Sequence, residues 1–229
     1  MNIAIICAAG KGKRMNSDIN KVFLLIKDKP IIWHTINTFQ KNDAIAKIII
    51  VTSADDIEKM KAISKDFIKV ISILEGGKER QDSVYNGIKE ASKHCDNDDI
   101  VLIHNGANPL VSQETINKTI EAANEYGASV AAMKVKDTIK SSTKNDFVKK
   151  TLDRNKLWAM QTPQVIRFGL AKQAFDKAFA DNYYSTDDVA LVEYIGEKVK
   201  IVESNPENIK ITTPNDIVLA ENILENKND

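Results

Sequence analysis

Six short aliphatic runs recur along the chain: Ile3 to Ile6, Ile48 to Val51, Val70 to Leu74, Ile100 to Ile103, Ser129 to Met133 and Val199 to Val202. They are nearly all apolar and do not alternate with polar residues. A strand with one wet face alternates, so these runs predict strands covered on both faces, in a mostly parallel sheet. Segments with helical spacing lie between them. Ile31, Ile32, Thr35, Ile36 and Phe39 share one face, as do Ile57, Met60 and Ile63, then Ile116, Ile120 and Ala123, and finally Ile217, Ala220, Ile223 and Leu224. Thr213-Pro214-Asn215-Asp216 predicts the start of the last helix, with a cap before the proline and an acid in the first turn. The alternation predicts an α/β, doubly wound fold with right-handed crossovers. The length suits a single domain, 1–229.

Residues 134–156 break this rhythm. They are polar, and Lys144-Asn145-Asp146 predicts a turn between Thr138-Ile139-Lys140 and Phe147-Val148-Lys149. We expect a two-stranded arm that projects from the core. An isolated hairpin is marginal in water, so the arm needs something to pack on, such as a second subunit.

Composition narrows the function. Lys plus Arg equals Asp plus Glu at 32 each, which leaves no global basic surface for nucleic acid. Any anion site must be local. No apolar run approaches the roughly 20 residues that span a bilayer, and the N-terminus lacks the pattern of a signal peptide. Cys7 and Cys95 are expected to stay reduced in a cytoplasmic protein.

The first aliphatic run leads into Ala8-Ala9-Gly10-Lys11-Gly12-Lys13-Arg14-Met15, and Lys21 follows. Gly10 and Gly12 allow backbone N–H groups to approach a ligand without a Cβ in the way. The cations beside them suit a triphosphate. The spacing is neither that of a P-loop nor that of a dinucleotide fingerprint. In open parallel sheets, ligands sit beyond the carboxyl ends of the strands. The segments found there are Gly76-Gly77-Lys78-Glu79-Arg80-Gln81-Asp82-Ser83-Val84 and His104-Asn105-Gly106-Ala107-Asn108-Pro109. Gly77 permits close approach to a flat group, and Ser83 with the first-turn amides suits a nucleobase edge. Later come Asp153-Arg154-Asn155, Gln161-Thr162-Pro163-Gln164 and Asn208-Ile209-Lys210-Ile211-Thr212. Lys210 is expected at the end of the last strand, facing the same crevice.

Taken in order, these segments resemble the 2-C-methyl-D-erythritol 4-phosphate cytidylyltransferases of the non-mevalonate isoprenoid pathway, from about residue 2 to residue 224. The resemblance implies a Rossmann-like nucleotidyltransferase fold and transfer of CMP from CTP to a polyol phosphate. It implies Arg14, Lys21, Arg154 and Lys210 as catalytic cations. Ala8, Ala9, Gly10, Gly12, Gly77, Arg80, Ser83 and Ala107 would hold the nucleotide. Asn105, Asn108, Thr138 and Thr162 would face the polyol phosphate. Mg²⁺ would bridge the triphosphate, with Asn105 at the position of the family acid. The arm would reach across a homodimer and complete the partner's site.

The chain departs from the family at one place. The family usually reads His-Asp-Ala-Ala-Arg-Pro where this sequence has His104-Asn105-Gly106-Ala107-Asn108-Pro109. One acid and one cation have both become amides. An amide is a weaker ligand for a hard metal than a carboxylate, and the loss of Arg removes a bidentate anion contact. The family reaction, a pentitol phosphate as acceptor, and nucleotide binding without turnover are the three readings this leaves open, and the surviving cations favour the first.

Weaker signals have structural readings. His34 is expected to pack and His104 to orient its loop. His94 and Cys95 with Asp96, Asp98 and Asp99 read as a solvated helix end, and Thr186-Asp187-Asp188 as a helix cap.

Overall fold

The computed structural model describes residues 1–10 and 20–226. Arg14 and Gly12 of the predicted phosphate loop therefore lie outside the described residues. All six aliphatic runs form strands: β1 (Asn2–Cys7), β4 (Lys47–Thr52), β5 (Val70–Glu75), β6 (Ile100–Asn105), β7 (Ala128–Lys134) and β11 (Lys200–Glu203). They join a seventh, β10 (Trp158–Arg167), in one sheet of order β11-β7-β10-β6-β1-β4-β5. Neighbouring pairs are parallel except where β10 runs antiparallel to both β6 and β7.

The two faces of the sheet carry separate cores, set by side-chain alternation along each strand. Ala4 and Ile6 of β1 face α1 (Ile31–Gln40), α2 (Ile57–Ser64) and α4 (Gln113–Tyr126), with Phe39, Met60 and Ile116 packed against them. Ile3 and Ile5 face α3 (Arg80–Ala91), α5 (Phe168–Ala180) and α6 (Val189–Tyr194), with Ile88, Phe175 and Leu191. This is the doubly wound arrangement. The buried positions of α1 are Ile31, Ile32, Thr35, Ile36 and Phe39, the face that the spacing predicts. A third, smaller core seats α7 (Pro214–Asn226) on the short β2–β3 hairpin (Leu25–Ile26 and Lys29–Pro30) through Ile26, Leu110, Ile211 and Ala220. At the start of α7, Asp216 accepts from the Thr212 and Thr213 amides, so the predicted helix start holds.

The arm is a hairpin of β8 (Lys140–Ser142) and β9 (Val148–Thr151), and Asp146 turns it at φ +61°. Strand β10 is absent from the sequence-based expectation. Its first residues are largely exposed, and its ladder to β7 is interrupted between Met160 and Gln164, around Pro163, which has no N–H to donate. A second correction concerns Lys210. It lies not at the end of β11 but seven residues beyond it, in an extended segment that Ile211 anchors by donating to the Ala107 carbonyl at 2.8 Å.

Candidate active site

The sheet order places β1 between strands reached by opposite crossovers, and Cys7 of β1 pairs in register with Asn105 of β6. At such a switch point the loops diverge and leave a crevice. A cleft of about 910 Å³ opens there. Its walls include Ala8, Ala9 and Gly10 after β1, Gly76 to Arg80 and Ser83 after β5, Asn105 and Ala107 after β6, and Lys21 and Lys210. A second cleft of about 460 Å³ adjoins it, lined by Asn108, Gln161, Thr162, Gln164, Thr186 and Asn208. Arg80, Asn105 and Lys210 line both.

Local packing explains the glycine turn. A Cβ on Gly76 would meet the Ala9 Cβ at 2.5 Å, and one on Gly77 the Asp82 Cβ at 2.2 Å. The turn is thus glycine because the chain folds tightly on itself. Ser83 serves the same turn: its hydroxyl accepts from the Gly77 amide at 3.0 Å and donates to the Glu79 carbonyl at 3.1 Å. The hydroxyl proton expected for a nucleobase is therefore held within the loop. Glu79 and Asp82 form a reciprocal capping box that fixes the start of α3, where Arg80 is the first helical residue.

Arg80 lines both clefts and is held by a buried acid. Its two terminal nitrogens each lie 2.7 Å from a carboxylate oxygen of Asp188, which is 2% exposed. Its Nε donates to the Asn105 Oδ1 at 3.4 Å. The carboxylate holds the guanidinium charged against burial and pushes its pKa further up. The Thr186-Asp187-Asp188 segment caps α6 through Asp187, which accepts from the Ala190 amide, while the Gln164 side-chain carbonyl takes the Asp188 and Val189 amides. Gln164 falls in its sequence motif and Asp188 in the helix cap, but neither is given a place in the site by sequence reasoning, and no local signal ties Asp188 to an arginine more than a hundred residues away.

The Asn pair extends this network. Asn105 Nδ2 donates to the Asn108 Oδ1 at 3.2 Å, and Asn108, 3% exposed, reaches the Asn208 carbonyl at 3.5 Å. Asn208 donates to the Thr162 carbonyl at 2.8 Å, and the Thr162 hydroxyl accepts from the Asn105 amide at 3.3 Å. His104 donates from Nε2 to the Asn108 carbonyl at 2.9 Å, which orients the loop as expected. Burial, reinforced by Arg80, brings the His104 pKa down to about 4, so it stays neutral. Burial pushes the Cys7 thiol at the cleft wall up to about 12, which rules out a ready thiolate nucleophile there.

Arg154 and Thr138 fall elsewhere. Arg154 lies exposed in the short 3-10 turn Arg154–Lys156 and donates to the Lys136 carbonyl at 2.7 Å, at the base of the arm. Thr138 precedes β8 and is exposed. Neither belongs to the lining of either cleft of its own chain. Among the described residues, no group of three or more His, Cys, Asp and Glu side chains could hold a metal ion. The oxygen of Asn105, at the position of the family acid, accepts from the Arg80 Nε at 3.4 Å.

The model of the 2-C-methyl-D-erythritol 4-phosphate cytidylyltransferases matches residues 2–226. The chain belongs to this family. A 2-C-methyl-D-erythritol 4-phosphate cytidylyltransferase of Clostridioides difficile is 48% identical over 226 residues, covering 98% of this chain and 94% of that protein. One from Caldanaerobacter subterraneus is 46% identical over 228 residues, with 98% and 99% covered. Among solved structures, the 4-diphosphocytidyl-2C-methyl-D-erythritol synthase of Anaerococcus prevotii superposes with a TM-score of 0.85 at 32% identity, covering 98% and 96% of the two chains. Cytidylyltransferase membership gives the paired clefts a common purpose, because a nucleotide and an acceptor must meet at one phosphorus.

Proposed function

We propose that this protein transfers the cytidylyl group of CTP to 2-C-methyl-D-erythritol 4-phosphate, giving the CDP-methylerythritol intermediate and pyrophosphate. The observation that carries this reading is the junction of the two clefts at Arg80, Asn105 and Lys210. CTP occupies the larger cleft and the polyol phosphate the smaller one. A phosphate oxygen of the acceptor attacks the α-phosphorus, and the bond from that phosphorus to the bridging oxygen breaks. Pyrophosphate leaves with the electron pair. No protein nucleophile is needed, only in-line placement and cations where negative charge grows. Lys21 and Arg14 serve the α-phosphate, and Lys210 serves the acceptor side. Mg²⁺ enters on the triphosphate oxygens, as part of the nucleotide substrate.

The exposed arm supports a homodimer. Phe147 and Val148 at its tip are 72% and 66% exposed, a cost that a partner subunit would remove. Arg154 and Thr138 would then complete the partner's acceptor site. The reaction as a whole belongs in the cytoplasm, where CTP is made; among the described residues no helix is long and apolar enough to cross a membrane. Incubation with CTP, Mg²⁺ and 2-C-methyl-D-erythritol 4-phosphate should release pyrophosphate. Release with ribitol 5-phosphate alone would reassign the acceptor, and release with neither would refute the activity.

A further inference from the structure

Lys21 crosses between the two sides of the main cleft. Its backbone sits in the short turn Lys21–Phe23, while its Nζ donates to the Ile211 carbonyl at 2.9 Å on the opposite wall. Ile211 in turn donates to the Ala107 carbonyl. The residue before Lys21 is held more tightly than a turn requires. Asn20 accepts from the Val22 amide through Oδ1, which caps the turn. Both functions of its amide nitrogen are also taken: Nδ2 donates to the Ala8 carbonyl at 3.0 Å and to the Asp56 Oδ2 at 3.0 Å. Asp56 is itself fixed, since the Ser53 hydroxyl donates to the same Oδ2 at 2.6 Å. Ala8 follows β1 and donates its own amide to the Val51 carbonyl of β4. One side chain thus ties the root of Lys21 to the carboxyl ends of two central strands.

We infer that Asn20 is a positioning residue for the transfer reaction, acting through Lys21, and that Asp56 orients its carboxamide. The inference rests on the reading of Lys21 as a cation of the reaction centre. Asn20 touches neither substrate in this scheme. Its task is to fix the Lys21 Cα so that the flexible ammonium returns to one place. Capping alone would not need Asn, because Asp caps as well. Only Asn supplies the two donated bonds, and Asp at this position would set a carboxylate against Asp56.

The test is a kinetic cycle at a temperature where circular dichroism shows every variant folded. Asn20→Asp should lower kcat by about tenfold or more, the scale on which small misplacements act, with little change in KM for CTP. A wild-type kcat would mean that Asn20 only caps the turn, and would overturn the inference. Asn20→Asp combined with Asp56→Asn restores a donor between the two side chains and should recover part of the lost kcat. In a Lys21→Ala background, Asn20→Asp should lower kcat no further; a full additional loss would show that Asn20 acts independently of Lys21 and overturn the link. Asn20→Ala carries the same cycle if Asn20→Asp does not fold. Wild-type turnover by Lys21→Ala alone would overturn the role of Lys21 and this inference together, a result distinguishable from additivity.

Discussion

Arg80 and Asp188 form a bidentate ion pair, with 2.7 Å at each nitrogen, that ties the first residue of α3 to the residue before α6. Arg80 lines both clefts, so the pair is a structural clasp that also fixes the guanidinium where the clefts meet. Asp188→Asn keeps the shape and removes the charge. Breaking a buried pair by one partner costs about 3–5 kcal/mol, and the partial exposure of Arg80 reduces that to about 2 kcal/mol. Urea denaturation should show the lower midpoint. KM should rise for both substrates, since the released guanidinium swings in a wall that both share.

Folding stability should fall in acid through His104. Its folded pKa, about 4, is lower than its ordinary value of 6.5. The unfolded chain therefore binds the proton first as pH falls, and stability drops from pH 6.5 down to about 4, where the loss levels off. The full loss is about 3 kcal/mol. His104→Gln keeps an N–H for the Asn108 carbonyl and should flatten that window of the stability–pH curve.

Lys21→Ala and Arg14→Ala should each lower kcat by about a hundredfold, the scale for removing one preorganised charge donor. Single-turnover pyrophosphate release measures this directly. Near-normal turnover in either variant would remove that residue from the reaction centre.

Position 108 should tolerate an amide better than a lone cation. Asn108 is 3% exposed and its side chain hydrogen-bonds to Asn105 and to the Asn208 carbonyl. Asn108→Arg alone should be destabilising. Asn105→Asp added to it should recover about 1–3 kcal/mol, because the new carboxylate neutralises the new guanidinium. A double-mutant cycle by thermal melting checks the coupling, and additive effects would contradict it.

Mixing two inactive variants tests the arm. In a dimer whose arms cross, Lys21→Ala and Arg154→Ala fall in the same site of a mixed dimer, leaving the other site intact. Equal mixing with subunit exchange should then restore roughly a quarter of wild-type activity. No recovery would place Arg154 in its own chain's site.

Much of this fold is legible in the sequence. Continuous aliphatic runs become strands because covering both faces of a sheet demands it, and α1 buries the five residues that its spacing picks out. The arm and the start of α7 follow from turn and cap chemistry. The motifs place Ala8, Gly10, Gly77, Asn105 and Lys210 on one cleft because loops after parallel strands share one edge of the sheet. What the tertiary structure alone decides is pairing between distant residues. Periodicity reports which way a side chain faces, not what it meets there. Hence the antiparallel insertion of β10, the Arg80–Asp188 clasp, the Asn20–Asp56 hub and the position of Lys210 beyond β11 emerge only when the chain is folded. Each depends on a partner supplied by another element, and no local pattern encodes that partner.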